Sequence, residues 1–119
     1  MTTQTYQQAS RQLLNQAQTE LAAGDLRQAS EKAWGAAAQM VKAIAEQRGW
    51  RHRAHDLLFE AVDYLSDETG DEEIDRLFDV ASALHVNFYE NWYRARRVQR
   101  GIRDVETLLD KLEPLLPQA

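Results

Sequence analysis

Apolar residues recur every three to four positions along most of the chain, which is the spacing of one face of an α-helix. Only five glycines and two prolines occur among the 119 residues, so few positions disfavour a helix. The pattern predicts five helices. Their approximate bounds are 5–22, 26–48, 54–65, a fourth that opens at 71–73 and carries its apolar stripe to Phe88, and 92–112.

Turn-forming residues separate these segments. Gly24 ends the first helix, because glycine accepts the left-handed conformation that often follows a helix. Asp25 then caps the second helix with its carboxylate, and Gly49 ends that helix. The composition of 66–70 predicts a turn, and two prolines near the C-terminus end the last helix.

Composition supports a folded helical protein and excludes several kinds of site. The hydrophobic fraction is 44% and the charged fraction 28%, both typical of a globular domain. Cysteine is absent, which excludes disulfides, thiolate metal sites and a cysteine nucleophile, and which fits a cytoplasmic protein. No apolar run is long enough to span a membrane, so we expect no membrane partner. The expected fold is all-α: one domain over 1–119, with its core at about 5–112, forming an up-and-down bundle of four to five antiparallel helices.

Charge is distributed unevenly along a chain whose net charge is −5. Residues 67–79 hold seven acids and one arginine, whereas residues 94–103 hold five arginines and no acid. Cations are unfavourable near a helix N-terminus, so these arginines need compensation. One interpretation is an intramolecular or dimer seam with acids of the fourth helix, namely Asp71, Glu72, Asp75 and Asp79.

The other interpretation is that the arginines bind an anionic partner. Guanidinium groups make bidentate contacts with phosphate, and nearby aromatic rings can stack on unpaired bases. Those rings belong to Tyr89, Trp92 and Tyr93. The predicted nucleic-acid-binding residues are Arg94, Arg96, Arg97 and Arg100.

A polar pocket is predicted around the fourth helix. His85 borders the apolar stripe, and Tyr89 lies one helical turn further on. A histidine that titrates near neutral pH can act as a general base on the 2′-hydroxyl of RNA, which makes His85 and His55 catalytic candidates. The alternative is a hydrogen-bond network that fixes the register between helices. The predicted pocket residues are Ser30, Lys32, His55, His85, Asn87 and Tyr89.

The three histidines also raise the question of a metal. His52 and His55 are three residues apart and could bind zinc together with His85 and an acid. In the other interpretation, His55 forms local hydrogen bonds and His52 is exposed. We predict no metal site and no cofactor.

Three motifs, in this order and spacing, resemble a known family. They are GDLRQASEKAW at 24–34, HRAHDLL at 52–58 and LHVNFYE at 84–90. The first two resemble the first half of a HEPN-superfamily domain, and all three together are most similar to the small PaREP-type proteins. The resemblance covers about residues 5–112.

The resemblance implies an up-and-down helical bundle that is often homodimeric. For the HEPN superfamily it implies RNA cleavage, or binding of RNA or nucleotides, commonly in toxin–antitoxin or defence systems. The implied partners are a second copy of the chain, RNA or a nucleotide, and a nucleotidyltransferase-type antitoxin.

One departure leaves enzymatic activity open. HEPN nucleases carry an arginine, a polar residue and, four to six residues after the arginine, a histidine late in the domain. Here Arg76 lies too far upstream of His85, and Arg48 with His55 lies in the wrong part of the domain. The expected function is an RNA- or nucleotide-binding module. The alternatives are a metal-independent ribonuclease and a protein-interaction partner without catalysis.

Overall fold

The computed structural model describes residues 1–117, which form five α-helices and a short 3₁₀ turn. No strand occurs in this part of the chain. The predicted all-α bundle is therefore confirmed. The helices are α1 Thr3–Ala22, α2 Leu26–Arg48, α3 His55–Thr69, α4 Glu73–Glu90 and α5 Ala95–Leu112, and the 3₁₀ turn is Glu113–Leu115.

Helix α2 lies at the centre of the bundle and packs against the other four helices. Its buried positions are mostly alanine, which combines the highest helix propensity with a side chain small enough for close approach. Larger apolar side chains fill the space between the helices, with Phe78, Met40 and Ile44 among the largest that are fully buried. The central helix therefore gains its stability from packing on several sides.

The ends of α2 follow the predicted signals. The Asp25 carboxylate accepts a hydrogen bond of 3.1 Å from the N–H of Gln28, which satisfies one of the free donors of the first turn. Gly49 ends the helix with a φ of 73°, a left-handed conformation that suits a residue without a Cβ atom.

Helix α3 is longer than predicted, because 66–70 does not form a turn. The Thr69 hydroxyl donates to the Leu65 carbonyl at 2.7 Å, and the Ser66 hydroxyl donates to the Asp71 carbonyl at 3.0 Å. These side chains bond to carbonyl groups of the helix and of the chain after it, so they do not interrupt the helix. Leu65 and Ser66 are buried, and the helix ends only at Gly70.

Helix α5 begins at Ala95, three residues later than predicted. Asn91 ends α4 in a left-handed conformation with a φ of 54°, and residues 91–94 connect the two helices. Phe88 also differs from prediction. It is half-buried at the end of α4, outside the core, and the Arg27 guanidinium lies over its ring at 5.2 Å.

Helices α4 and α5 approach closely at Gly101. A methyl group at this position would lie 2.9 Å from Cδ2 of Leu84, which is fully buried and has little room to move. The absence of a side chain at Gly101 thus permits α5 to lie directly on α4. Within residues 1–117, no helix has the length and apolar character needed to cross a membrane.

Candidate functional site

Asn87 is fully buried and organises the connection between α4 and α5. Its Oδ1 accepts hydrogen bonds from the backbone N–H groups of Trp92 and Tyr93, at 2.9 and 2.8 Å. Its Nδ2 donates to the Ser30 hydroxyl at 2.9 Å, and that hydroxyl donates to the Leu26 carbonyl at 2.7 Å. Two of the predicted pocket residues, Ser30 and Asn87, therefore belong to an internal network that determines where α5 begins.

The arginine surface lies directly after this connection. We define it as the shallow depression of about 380 Å³ at the start of α5 together with its walls, which are Trp92, Arg94, Arg96, Arg97 and Arg100. All five residues are exposed. The structure thus brings the four predicted nucleic-acid-binding arginines together at one depression.

These arginines have no carboxylate partner among the residues that the structure describes. Across residues 1–117, none of the five arginines between 94 and 103 forms an ion pair. The guanidinium of Arg97 lies over the Tyr93 ring at 5.3 Å, a cation–π contact that leaves its charge uncompensated. The positive charge of the arginine surface is therefore available to an external anion.

The N-terminus of α5 adds to this positive charge. Arg94 occupies the cap position with an extended backbone, no side chain caps the helix, and the first turn contains no acid. The free N–H groups of a helix N-terminus carry a partial positive charge, which disfavours cations nearby and favours anions. The predicted need for compensation is thus unmet within the described chain.

The intramolecular seam with acids of the fourth helix is wrong. Asp71 accepts a hydrogen bond of 2.7 Å from Lys111, and this bond lowers the pKa of Asp71. Partial burial and the neighbouring Asp75 carboxylate raise the pKa of Asp63, so Asp75 faces another acid. Neither aspartate pairs with the arginines, because α5 directs its C-terminal end toward the start of α4.

His85 lies in an aromatic cluster with Trp34, His55 and Tyr89. Its ring stacks on Trp34 with a centroid distance of 5.3 Å, while His55 and Tyr89 meet it edge-on, each at 5.3 Å. Nδ1 of His85 lies 2.8 Å from the Glu31 carboxylate. Nε2 forms no hydrogen bond within the described chain. One ring nitrogen of His85 is therefore free. His55 and Tyr89, which contact the same ring, are two further predicted pocket residues.

The basic cavity is a second depression, of about 530 Å³, between α1, α2 and the start of α3. Lys32 and His55 line it, as do three residues that were not predicted to line a pocket: Lys42, Arg53 and the half-buried Leu13. Lys32 also pairs with Glu20 at 3.1 Å. The predicted pocket is therefore divided into an internal network, an aromatic cluster and this cavity.

A sequence signal for the basic cavity exists along α2. Its α2 wall follows the three-to-four residue spacing of one helix side, at positions 28, 31, 32, 34, 35, 38, 39 and 42. This face carries Glu31, which contacts His85, and Lys42, which was not among the predicted site residues. Polar residues on this helix side follow the same period as the apolar stripe of the core.

His52 also lines the basic cavity and is only 8% exposed, so its expected exposure is wrong. The segment after Gly49 places its ring edge-on against Tyr6 at 5.4 Å, and Nε2 lies 2.8 Å from the Glu46 carboxylate. This hydrogen bond lowers the pKa of Glu46. Among residues 1–117, no three His, Asp or Glu side chains are grouped so that they could hold a metal ion.

Comparisons with known proteins agree with the fold and with part of the resemblance. A crystal structure of a protein from Sulfolobus solfataricus is similar, with a TM-score of 0.81 and 25% sequence identity over 92% of this chain and 97% of that chain. No curated protein sequence shows significant similarity. The model of the archaeal PaREP1/PaREP8 family matches residues 5–109, which confirms the predicted PaREP-type resemblance. This match spans most of the chain, and the protein therefore belongs to the archaeal PaREP1/PaREP8 family.

Proposed function

We propose that the arginine surface binds RNA through its phosphate groups. The observation that carries this proposal is the group of five arginines between 94 and 103, none of which has a carboxylate partner within residues 1–117 of an otherwise acidic chain. Crowded like charges repel one another, so this arrangement opposes folding slightly. A phosphate backbone compensates all of these charges at once.

The chemistry of the surface suits phosphate. A guanidinium group is planar and donates two parallel hydrogen bonds to one phosphate, which an ammonium group does not do. The uncapped N-terminus of α5 supplies further N–H donors beside Arg94 and Arg96. Binding to several phosphates releases condensed counterions, which makes the affinity fall steeply as salt increases.

Exposed aromatic rings favour a single-stranded ligand. Trp92 and Tyr89 are each 65% exposed, and Trp92 is part of the arginine surface. Unpaired bases stack on such rings, at about 1–3 kcal/mol per base. These contacts tolerate any base, so the proposed binding has little sequence preference.

The resemblance to the HEPN superfamily supports RNA as the nucleic acid, since it implies binding or cleavage of RNA. Membership of that superfamily is itself part of this proposal. The proposal also includes a homodimer, a role in a toxin–antitoxin or defence system, a nucleotidyltransferase-type partner and a cytoplasmic location.

The test is a titration of a short, fluorescently labelled single-stranded RNA, followed by anisotropy. The variant Arg96→Gln with Arg100→Gln removes two charges from the arginine surface. The matched control, Arg51→Gln with Arg76→Gln, removes two exposed arginines that line neither the arginine surface nor the basic cavity. We expect the first pair to weaken binding by about tenfold or more and the control pair to change it by less than about threefold. Equal losses in both pairs would show an effect of net charge alone and contradict the proposal.

RNA cleavage by His85 is a second candidate, and the contact with Glu31 favours it. A carboxylate that holds one ring nitrogen of histidine and leaves the other free is the arrangement of a general base. Substitution of His85 by alanine should then abolish cleavage of labelled RNA while the circular dichroism spectrum and RNA affinity stay unchanged. Turnover equal to that of the wild type would remove His85 from this role.

A further inference from the structure

We propose that the basic cavity binds a small phosphomonoester that carries an apolar group, independently of the arginine surface. Three kinds of observation support this site: unpaired cations, an uncapped helix N-terminus and a buried histidine nitrogen without a partner. Each concerns a different residue of the cavity wall.

The charges of the wall favour an anion. Lys42 and Arg53 line the cavity, and neither forms an ion pair within residues 1–117. Lys32 is compensated by Glu20 at 3.1 Å, and Glu31 is engaged by His85 at 2.8 Å. Two free cations therefore face one cavity of a chain whose net charge is −5.

The N-terminus of α3 opens onto the same wall. Ala54 is the cap residue, no side chain of the described residues caps this helix of 15 residues, and its first turn contains one acid, Asp56. The carbonyl of Ala54 accepts from Leu57 and Leu58, at 3.1 and 3.2 Å, so the first bonded donors come after His55 and Asp56. Ala54 and His55 both line the cavity. Free N–H groups of a helix start are the usual protein donors to phosphate oxygens.

His52 supplies the second, independent observation. This residue lines the cavity and is 8% exposed, and its Nε2 is engaged by Glu46. Its Nδ1 is buried and has no hydrogen-bond partner among the described residues. Buried polar atoms in native proteins almost always have a partner. When both ring nitrogens of His52 carry a proton, Nδ1 is a donor, and a phosphate oxygen at the cavity wall would accept from it.

The size and lining of the cavity define the class of ligand. About 530 Å³ suits a small organic molecule. Leu13, Leu58 and the edge of the buried Trp34 form an apolar part of the wall, which suits an apolar or aromatic moiety. A phosphate group offers three acceptor oxygens to the cations and the helix N–H groups, whereas a carboxylate offers two. A phosphomonoester therefore matches the wall better than a carboxylic acid.

The experiment uses phenyl phosphate as the probe, titrated into the full chain and followed by amide chemical shifts. We expect saturable shifts at the His55 and Asp56 amides, with benzoate and inorganic phosphate each binding about tenfold more weakly. Binding of inorganic phosphate as tight as that of phenyl phosphate would overturn the apolar part of the proposal. Absence of saturable binding would overturn the site.

Variants separate this site from the arginine surface. Replacement of Lys42 and Arg53 by glutamine should weaken binding of phenyl phosphate by about tenfold or more, because each removes a charged donor. Both residues lie outside the buried core, so these variants should fold, which circular dichroism checks. Arg96→Gln with Arg100→Gln should leave the affinity for phenyl phosphate within about twofold. An equal loss in this second pair would overturn the assignment to the basic cavity, whatever the result with RNA.

Discussion

The two ends of α5 differ in whether their charged side chains form ion pairs within the described chain. At the C-terminal end, Lys111 donates to Asp71 at 2.7 Å. In the turn that follows, Glu113 accepts from Arg11 at 2.6 Å and from Gln7 at 2.8 Å. At the N-terminal end, by contrast, five arginines lie within ten positions and none has an acid partner in the described chain.

This difference separates charges that support the fold from charges that do not. The ion pairs at the C-terminal end join α5 and the 3₁₀ turn to α1 and to the connection before α4. The N-terminal end is instead held by neutral hydrogen bonds that the backbone N–H groups of Trp92 and Tyr93 donate to Asn87. Because the arginines take no part in either set of contacts, their charge is available for binding.

Loss of the Asn87 side chain should have the largest effect on stability. Asn87→Leu removes this partner from the buried Ser30 hydroxyl and from the partly buried N–H groups of Trp92 and Tyr93. We expect the free energy of unfolding to fall by about 3 kcal/mol. Urea denaturation followed by circular dichroism measures it. As a control, Asn91→Gly should cost little, because glycine suits the left-handed conformation there. An unchanged urea midpoint for Asn87→Leu would show that the N-terminal end is held by other contacts.

Removal of the Glu113 charge should have an intermediate effect. Glu113→Gln weakens two hydrogen bonds with Arg11, at 2.6 and 3.2 Å, in a partly buried pair. We expect a loss of roughly 1 kcal/mol in the free energy of unfolding, since ion pairs of this exposure contribute modestly. Glu106→Gln is the matched control, as Glu106 is exposed on α5 and has no ion pair within residues 1–117. Equal unfolding midpoints for the two variants would contradict a stabilising role for the C-terminal pair.

Removal of charge from the arginine surface should have the smallest effect at neutral pH. Arg96→Gln with Arg100→Gln breaks no ion pair of the described chain and reduces repulsion between like charges. We therefore expect the free energy of unfolding to stay within about 0.5 kcal/mol of the wild type. A loss of more than about 1 kcal/mol would mean that these arginines stabilise the fold, which would contradict their lack of a structural role.

The pH dependence of stability should also show that the ion pair of Glu113 supports the fold. The hydrogen bond from Arg11, opposed by partial burial, lowers the pKa of Glu113 below its ordinary value of 4.5. The stability that this pair contributes is present above that value and is lost as the pH falls through the lowered pKa. The difference in urea midpoint between the wild type and Glu113→Gln should therefore shrink from about pH 6 to pH 3. A difference that stays constant over this range would show that the carboxylate is not responsible.

Local features could be predicted from the sequence, and contacts between distant segments could not. The arginines lie within ten residues of one another, so their common surface follows from helical spacing alone. The role of Asn87 depends on Ser30, which is 57 residues away, and on two N–H groups of the following connection. Nothing in the spacing around Asn87 indicates that these donors meet its side chain.

The basic cavity shows the same limit. Lys42 lies on α2, whereas His52 and Arg53 lie on the connection after Gly49, and only folding brings them to one wall. The length of α3 differs from the prediction for a different, local reason. Ser66 and Thr69 are typical of turns, but here their hydroxyl groups bond to backbone carbonyls at the end of the helix.

The salt dependence of RNA binding shows whether the arginine surface contacts phosphate groups. The logarithm of the association constant for a short single-stranded RNA is measured against the logarithm of salt concentration, for the wild type and for Arg96→Gln with Arg100→Gln. If both arginines contact phosphates, the slope of the variant should be smaller in magnitude by about 1.4, since each contact to a single strand contributes about 0.7. Equal slopes for the two proteins would show that the arginine surface does not bind the RNA backbone.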